Sequence, residues 1–220
     1  MLNSRPLCAV FGASPEDAPT RVPEIRTGDL VIAADGGWRL AAELNLSCDV
    51  VVGDFDSARE PTRGEHSGEL VRLPVEKDVT DMFAAVQIGY ERGYRHFALY
   101  GGFGGRFDHT LANLQTLLWL ARRGASAELI ASTQVLTVLH SDGGCPAELE
   151  LGERTSGTFS VFAFGGAADG VSILGARYEL RDSRLSDEFA LGVSNEFIGV
   201  TVRISVTNGS LLIVQPEAHD

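Results

Sequence analysis

Positive charge is in short supply in this chain: 18 Lys and Arg stand against 30 Asp and Glu, a formal net charge of −12 at pH 7. A nucleic-acid binder needs a basic face to neutralise phosphates, so this balance argues against nucleic acid as a partner. An anionic small molecule stays open where a metal ion and a few local cations compensate. Cysteine is sparse as well. Cys8, Cys48 and Cys145 are far apart, odd in number and without a CxxC pair. That excludes a disulfide framework and points to reduced thiols in a cytoplasmic setting. No apolar run approaches the roughly 18 residues of a membrane span, so no membrane is expected. The opening MLNSRPLCAVFGASPED has too short an apolar run for a signal peptide. Low-complexity linkers, charge runs and internal repeats are also lacking. What remains is ordinary globular material, 44% hydrophobic over 220 residues, enough for one large domain or two small ones.

The pattern changes character along the chain. LCAVFGA (7–13), LVIAAD (30–35), DVVVGD (49–54) and HFALYG (96–101) read as strands covered on both faces. Helical patterns lie between and after them: WRLAAEL (38–44), DVTDMFAAVQIGYERG (78–93) and DHTLANLQTLLWLARRG (108–124). The second carries Val79, Met82, Phe83 and Val86 on one face, the third Leu111, Leu114, Leu117 and Leu118, and Gly93 and Gly124 end them. This is α/β alternation around a mostly parallel sheet. Beyond Gly143-Gly144 helical periodicity nearly vanishes. Strand-like AELEL (147–151), TFSVFAF (158–164), GVSILG (170–175), ARYEL (176–180), GVTVRISV (199–206) and SLLIVQ (210–215) are expected to form a small antiparallel β-sandwich. The expected domains are 1–142, α/β, and 143–220, all β.

Acidic residues sit where an open α/β sheet binds ligands, beyond the carboxyl ends of its strands. Asp35 follows LVIAA, and Asp54 follows VVVG. In an extended backbone Asp54 and Asp56 project to the same side while Phe55 turns into the core. Two close carboxylates repel unless one is protonated or a cation lies between them, and such oxygen ligands suit Mg2+. The same pair also reads as a loop acid followed by a turn and N-cap.

Further segments carry similar double readings. KDVTD offers Lys77, Asp78, Thr80 and Asp81 at a helix start, or only a capping arrangement across Asp78 and Asp81. GGFGGRFDH (101–109) is a glycine-rich strand-to-helix turn whose N–H groups can cradle phosphates, with Arg106 to fork to them. Alternatively its glycines serve a tight turn and Asp108 caps the helix. It is neither a Walker A motif nor a GxGxxG fingerprint.

Together, ADGG (34–37), GDFDS (53–57), KDVTD (77–81) and GGRFDH (104–109) resemble the thiamine pyrophosphokinase family. DGVSILGARYEL (169–180) resembles its glycine-rich hairpin and LGVSNEF (191–197) its serine-asparagine substrate loop. The resemblance covers nearly the whole chain. Trp38 departs from the small residue that commonly follows ADGG, and we read it as helix core. The implied activity is an ATP:thiamine diphosphotransferase that makes thiamine diphosphate and AMP. The implied site has Asp54, Asp56 and Asp81 holding Mg2+ with Asp35 beside them. Lys77, Asp78, Thr80, Arg106, Asp108 and His109 surround ATP, and Ser194 and Asn195 meet thiamine. A homodimer whose sites are shared between subunits is also implied.

Two other readings compete. One is a Mg2+-dependent phosphohydrolase with an aspartyl nucleophile in DFD; the other is a non-catalytic thiamine or nucleotide module. The set of converging carboxylates weighs against the second. His66, His96, His140 and His219 are assigned surface or packing roles, and Trp119 a core role. Loop 14–29 is not diagnostic.

Overall fold

The computed structural model describes residues 5–14, 22–54, 68–74, 76 and 78–217. The chain divides into two compact units, Met1–Thr116 with Ala127–Ser132, and Leu117–Ser126 with Thr133–Asp220.

The first unit carries strands β1 (Leu7–Phe11), β2 (Leu30–Ala34), β3 (Val50–Gly53), β4 (Glu69–Arg72), β5 (His96–Tyr100) and β6 (Ser126–Ile130). They lie in the order β6-β5-β1-β2-β3-β4. The pairs β5–β1, β1–β2, β2–β3 and β3–β4 are all parallel. The apolar runs account for the four inner strands: Cys8–Phe11, Leu30–Ala34, Val50–Val52 and Phe97–Tyr100 are buried. Strand β4, ELVR, escapes such a reading because it lies at the sheet's end and is largely uncovered. Chain order runs outward from β1 in one direction through β2 and β3, then returns to β5 on the other side. The carboxyl ends of β1 and β5 therefore flank a topological switch point, where open α/β sheets leave a crevice.

Helices α1 (Trp38–Glu43), α2 (Asp81–Glu91) and α3 (Phe107–Ala121) connect these strands. Trp38 is buried, as read. Helix α2 begins later than its pattern suggested. Thr80 is its N-cap, the Oγ1 accepting from the Phe83 N–H at 3.2 Å, so Asp78 and Val79 precede it. Gly93 and Gly124 stop α2 and α3 with φ of 94° and 73°. At each end an amide reaches five residues back, Tyr94 to Gly89 and Ala125 to Leu120, which is the Schellman closure. The inward face of α3 is out of phase with its leucines: Thr110, Asn113, Thr116, Leu117 and Leu120 are buried, while Leu111 is 43% exposed. Trp119 is half-buried under the Arg123 guanidinium, 4.2 Å from the ring centroid.

The second unit holds β7 (Gln134–Leu151), β8 (Thr158–Ala163), β9 (Ala168–Leu174), β10 (Leu180–Leu185), β11 (Gly192–Glu196) and β12 (Val202–Pro216). Its pairings β9–β10, β8–β11, β7–β12, β8–β12 and β9–β12 are antiparallel. Residues 199–206 and 210–215, expected as two strands, fall in one, which begins only at Val202. β12 pairs with β7 along its length, with an irregularity between Val206 and Asn208. Its other edge changes partner beyond Asn208: Arg203–Ser205 and Asn208 face β9, and Leu211–Val214 face β8. A single strand thus joins β9 to β8 around a core of Leu151, Phe159, Val161, Ile173, Ile204 and Leu211. The alternation of Val202, Ile204 and Val206 inward holds as read. β7 passes through residues 142–143, where the sequence reading sets its boundary. Residues 176–179 form a turn rather than a strand.

Candidate active site

A cavity of about 840 Å³ opens in the first unit at the carboxyl ends of its parallel strands. Asp35 enters it after β2 and Asp54 after β3. Thr80 and Asp81 come from the start of α2, Arg106 and His109 from the turn into α3. These six were expected at the site from sequence, and one cavity lines them all.

Asp35 owes its position to backbone strain and a close passage. Its φ is 48°, left-handed for a residue with a Cβ. Such a conformation costs on the order of 1–3 kcal/mol and persists where its surroundings enforce it. Two residues on, a Cβ on Gly37 would stand 1.9 Å from the Phe11 carbonyl oxygen, so only glycine lets the chain pass the end of β1. The ADGG motif is therefore a turn forced against β1, and the turn holds Asp35 at the cavity. Asp54 follows Gly53 directly, where a Cβ would come within 3.1 Å of the Asp35 Cα. Asp81 lies in the first turn of α2, where the helix dipole favours a carboxylate. The Thr80 hydroxyl, already accepting from Phe83, keeps its proton as a donor.

The glycine-rich turn between β5 and α3 has Gly101, Gly104 and Gly105 at φ of 61°, 84° and 61°. Arg106 follows, 71% exposed, and grips Asp108 by two hydrogen bonds, Nε to Oδ1 at 3.2 Å and Nη2 to Oδ2 at 2.5 Å. The donated bond from Arg106 holds the Asp108 carboxyl below the usual carboxylate range. The Arg106 carbonyl accepts from the His109 and Thr110 N–H groups, so the helix is opened by Arg106 and not capped by Asp108. Asp108 faces out as the partner of Arg106, outside the cavity lining. Asp78 is exposed and also outside it. Asp56 and Lys77 lie outside the described residues. Among the described residues, no three His, Cys, Asp or Glu side chains group closely enough to hold a metal ion.

Ser194 and Asn195 belong to the second unit. Ser194 is left-handed, with φ of 56°. It sits at a register shift between β11 and β8, the kind of bulge that re-aims a side chain, and it is exposed. Asn195 is only 4% exposed. Its Oδ1 accepts from the N–H groups of Tyr178 and Glu196 at 3.0 and 2.9 Å, and its Nδ2 donates to the Tyr178 carbonyl at 2.7 Å. The amide is thus largely occupied in docking the 175–180 turn onto β11. Arg177 adds a second tie to that strand, to Glu196 at 2.7 Å.

Two polar side chains of the cavity lining escaped the sequence reading, Ser14 and Asn113. Asn113 was hidden by the assumption that the leucines mark the inner face of α3; the one available signal was its helical phase with Thr110 and Leu117.

Residues 24–129 match the family model of the thiamin pyrophosphokinase catalytic domain. Residues 148–211 match that of the thiamin pyrophosphokinase vitamin B1 binding domain. The chain belongs to the thiamine pyrophosphokinase family. It is 26% identical over 178 residues to thiamin pyrophosphokinase 1 of Caenorhabditis elegans, covering 78% of this chain and 70% of that one. It is likewise 26% identical over 190 residues to the thiamine pyrophosphokinase of Bacillus subtilis, covering 84% and 86%. The crystal structure of thiamine pyrophosphokinase from Bacillus subtilis shares the fold, with a TM-score of 0.80 at 21% identity over 98% of this chain and 100% of that one.

Proposed function

We propose that this chain is an ATP:thiamine diphosphotransferase. The hydroxyl oxygen of thiamine attacks the β-phosphorus of ATP, the bond from that phosphorus to the α-phosphate oxygen breaks, and AMP leaves. A carboxylate of the cavity takes the hydroxyl proton. The observation that carries this reading is the order of the two family matches: the catalytic one falls mainly on the unit with the acidic cavity, the vitamin B1 one on the β unit.

Asp35, Asp54 and Asp81 do not by themselves close on one point, but they line one cavity and offer only oxygen donors, the chemistry a hard divalent cation takes, and Mg2+ is our choice. Asp54, Asp56 and Asp81 would hold it, with Asp35 beside them; when bound, such an ion neutralises charge on the polyphosphate. Arg106, His109, Thr80 and Lys77 bind ATP, with Asp78 near the same helix start. Asp108 acts through Arg106, holding the guanidinium until a phosphate competes for it. On the thiamine side Ser194 supplies an exposed hydroxyl, and Asn195 holds the neighbouring turn in place.

The test is AMP release from ATP with thiamine or metal omitted in turn. Release that requires both supports the transfer. Phosphate release without thiamine contradicts it and favours the phosphohydrolase reading.

The family resemblance further supports a homodimer with each site drawn from two subunits. Mixing Asp56→Asn subunits with Asn195→Ala subunits tests it. Random exchange makes half the dimers mixed, so shared sites restore about a quarter of wild-type activity. No gain after exchange confirmed by mass contradicts the shared site.

A further inference from the structure

Three successive carbonyls of the glycine-rich turn are taken by donors of the protein itself. The Gly101 oxygen accepts from the Ser14 N–H at 3.0 Å. The Gly102 oxygen accepts from Asn113 Nδ2 at 2.7 Å, and the Phe103 oxygen from Ser14 Oγ at 2.9 Å. Asn113 is 5% exposed and reaches the turn from the inner face of α3. The fit is close: a Cβ on Gly102 would lie 3.0 Å from that amide nitrogen and 2.9 Å from Leu129.

A trans peptide holds its N–H antiparallel to the preceding C=O. With the carbonyls of Gly101 and Phe103 drawn to Ser14, the N–H groups of Gly102 and Gly104 are turned the opposite way. Ser14, Asn113 and both glycines line the same cavity. We propose that Ser14 and Asn113 are positioning residues for the polyphosphate of ATP: the Ser14 hydroxyl fixes the peptide plane that presents the Gly104 N–H, the Ser14 backbone N–H the plane that presents the Gly102 N–H, and Asn113 the plane between them, which carries the Phe103 N–H. This rests on the transferase reading above. Neither side chain need touch the nucleotide; each acts through a backbone carbonyl. An oriented pair of amides is worth more to an anion than a mobile one, because no reorganisation is left to be done on binding.

The experiment is steady-state kinetics and ATP calorimetry on full-length Ser14→Ala, Ser14→Thr and Asn113→Ala. Ser14→Ala and Asn113→Ala should each raise KM for ATP about tenfold, the effect of one lost orienting hydrogen bond, with KM for thiamine within twofold. Ser14→Thr keeps the Oγ and should return KM for ATP to within about twofold of wild type. If Asn113→Ala fails to fold, the Ser14 pair decides alone. An unchanged KM for ATP in Ser14→Ala, or equal losses for both substrates with a lowered melting temperature, overturns the proposal. A wild type that binds ATP but makes no thiamine diphosphate overturns the transferase reading instead. In that case, equal calorimetric affinity of wild type and Ser14→Ala for ATP overturns the positioning role separately.

Discussion

Asp54 stands one residue beyond a buried strand, shares a cavity with Asp35 and Asp81, and is half-buried. Core packing does not require a carboxylate there. Asp54→Asn keeps the shape and removes the charge, so turnover should fall to near background while circular dichroism stays that of wild type. Near-normal activity at saturating Mg2+ would remove Asp54 from the catalytic set. Arg106 and Asp108 make a second residue-scale case. The Asp108 carboxyl is held below its ordinary range chiefly by the bond from Arg106. A depressed folded-state pKa stabilises the fold above the unfolded value, and that contribution is lost as pH falls through the folded one. Both groups are exposed, so the effect on stability is small. Carboxyl NMR should show Asp108 titrating low in the free protein and moving up in Arg106→Ala or on ATP binding. A titration indifferent to both changes would separate Arg106 from the phosphates.

At the scale of elements, the turn between β9 and β10 depends on β11. Asn195 holds both the N–H and the carbonyl of Tyr178, and Ala176 bridges to Phe197. Asn195→Ala removes the side-chain partner of both groups, a loss of about 1–3 kcal/mol. The response to thiamine should weaken roughly 5- to 150-fold by the same measure, with ATP little affected. Equal losses for the two substrates would refute the division of labour. Several elements were readable beforehand. β1, β2, β3 and β5 announced themselves because strands covered on both faces are continuous apolar runs. The stops at Gly93 and Gly124 were equally legible, since a left-handed residue closes a helix. Other elements were hidden for physical reasons. β4 has no core face to mark it. Asp78 looked like a cap, but the Thr80 hydroxyl takes the Phe83 amide and shortens α2. β12 was split because the irregularity near Asn208 and Gly209 resembles a chain reversal, though pairing with β7 continues on both sides. Asn195 was legible as a polar residue in a substrate loop; that its amide faces inward depends on a pairing distant in sequence.

For the molecule as a whole, the acidic balance and the scattered thiols set the terms. Cys8 and Cys48 are buried and unbridged, and burial pushes the Cys8 thiol up to about 12 and Cys48 to about 11. Neither is poised as a nucleophile. No helix among the described residues is long and apolar enough to cross a membrane. The cavity and two ordered family matches together make pyrophosphoryl transfer the central claim. Its most direct test is product stoichiometry, with the wild-type chain given ATP, thiamine and Mg2+. The account predicts AMP and thiamine diphosphate in equal amounts, with neither formed when thiamine is withheld. ADP or free phosphate as the main product, at the same rate with or without thiamine, would contradict it.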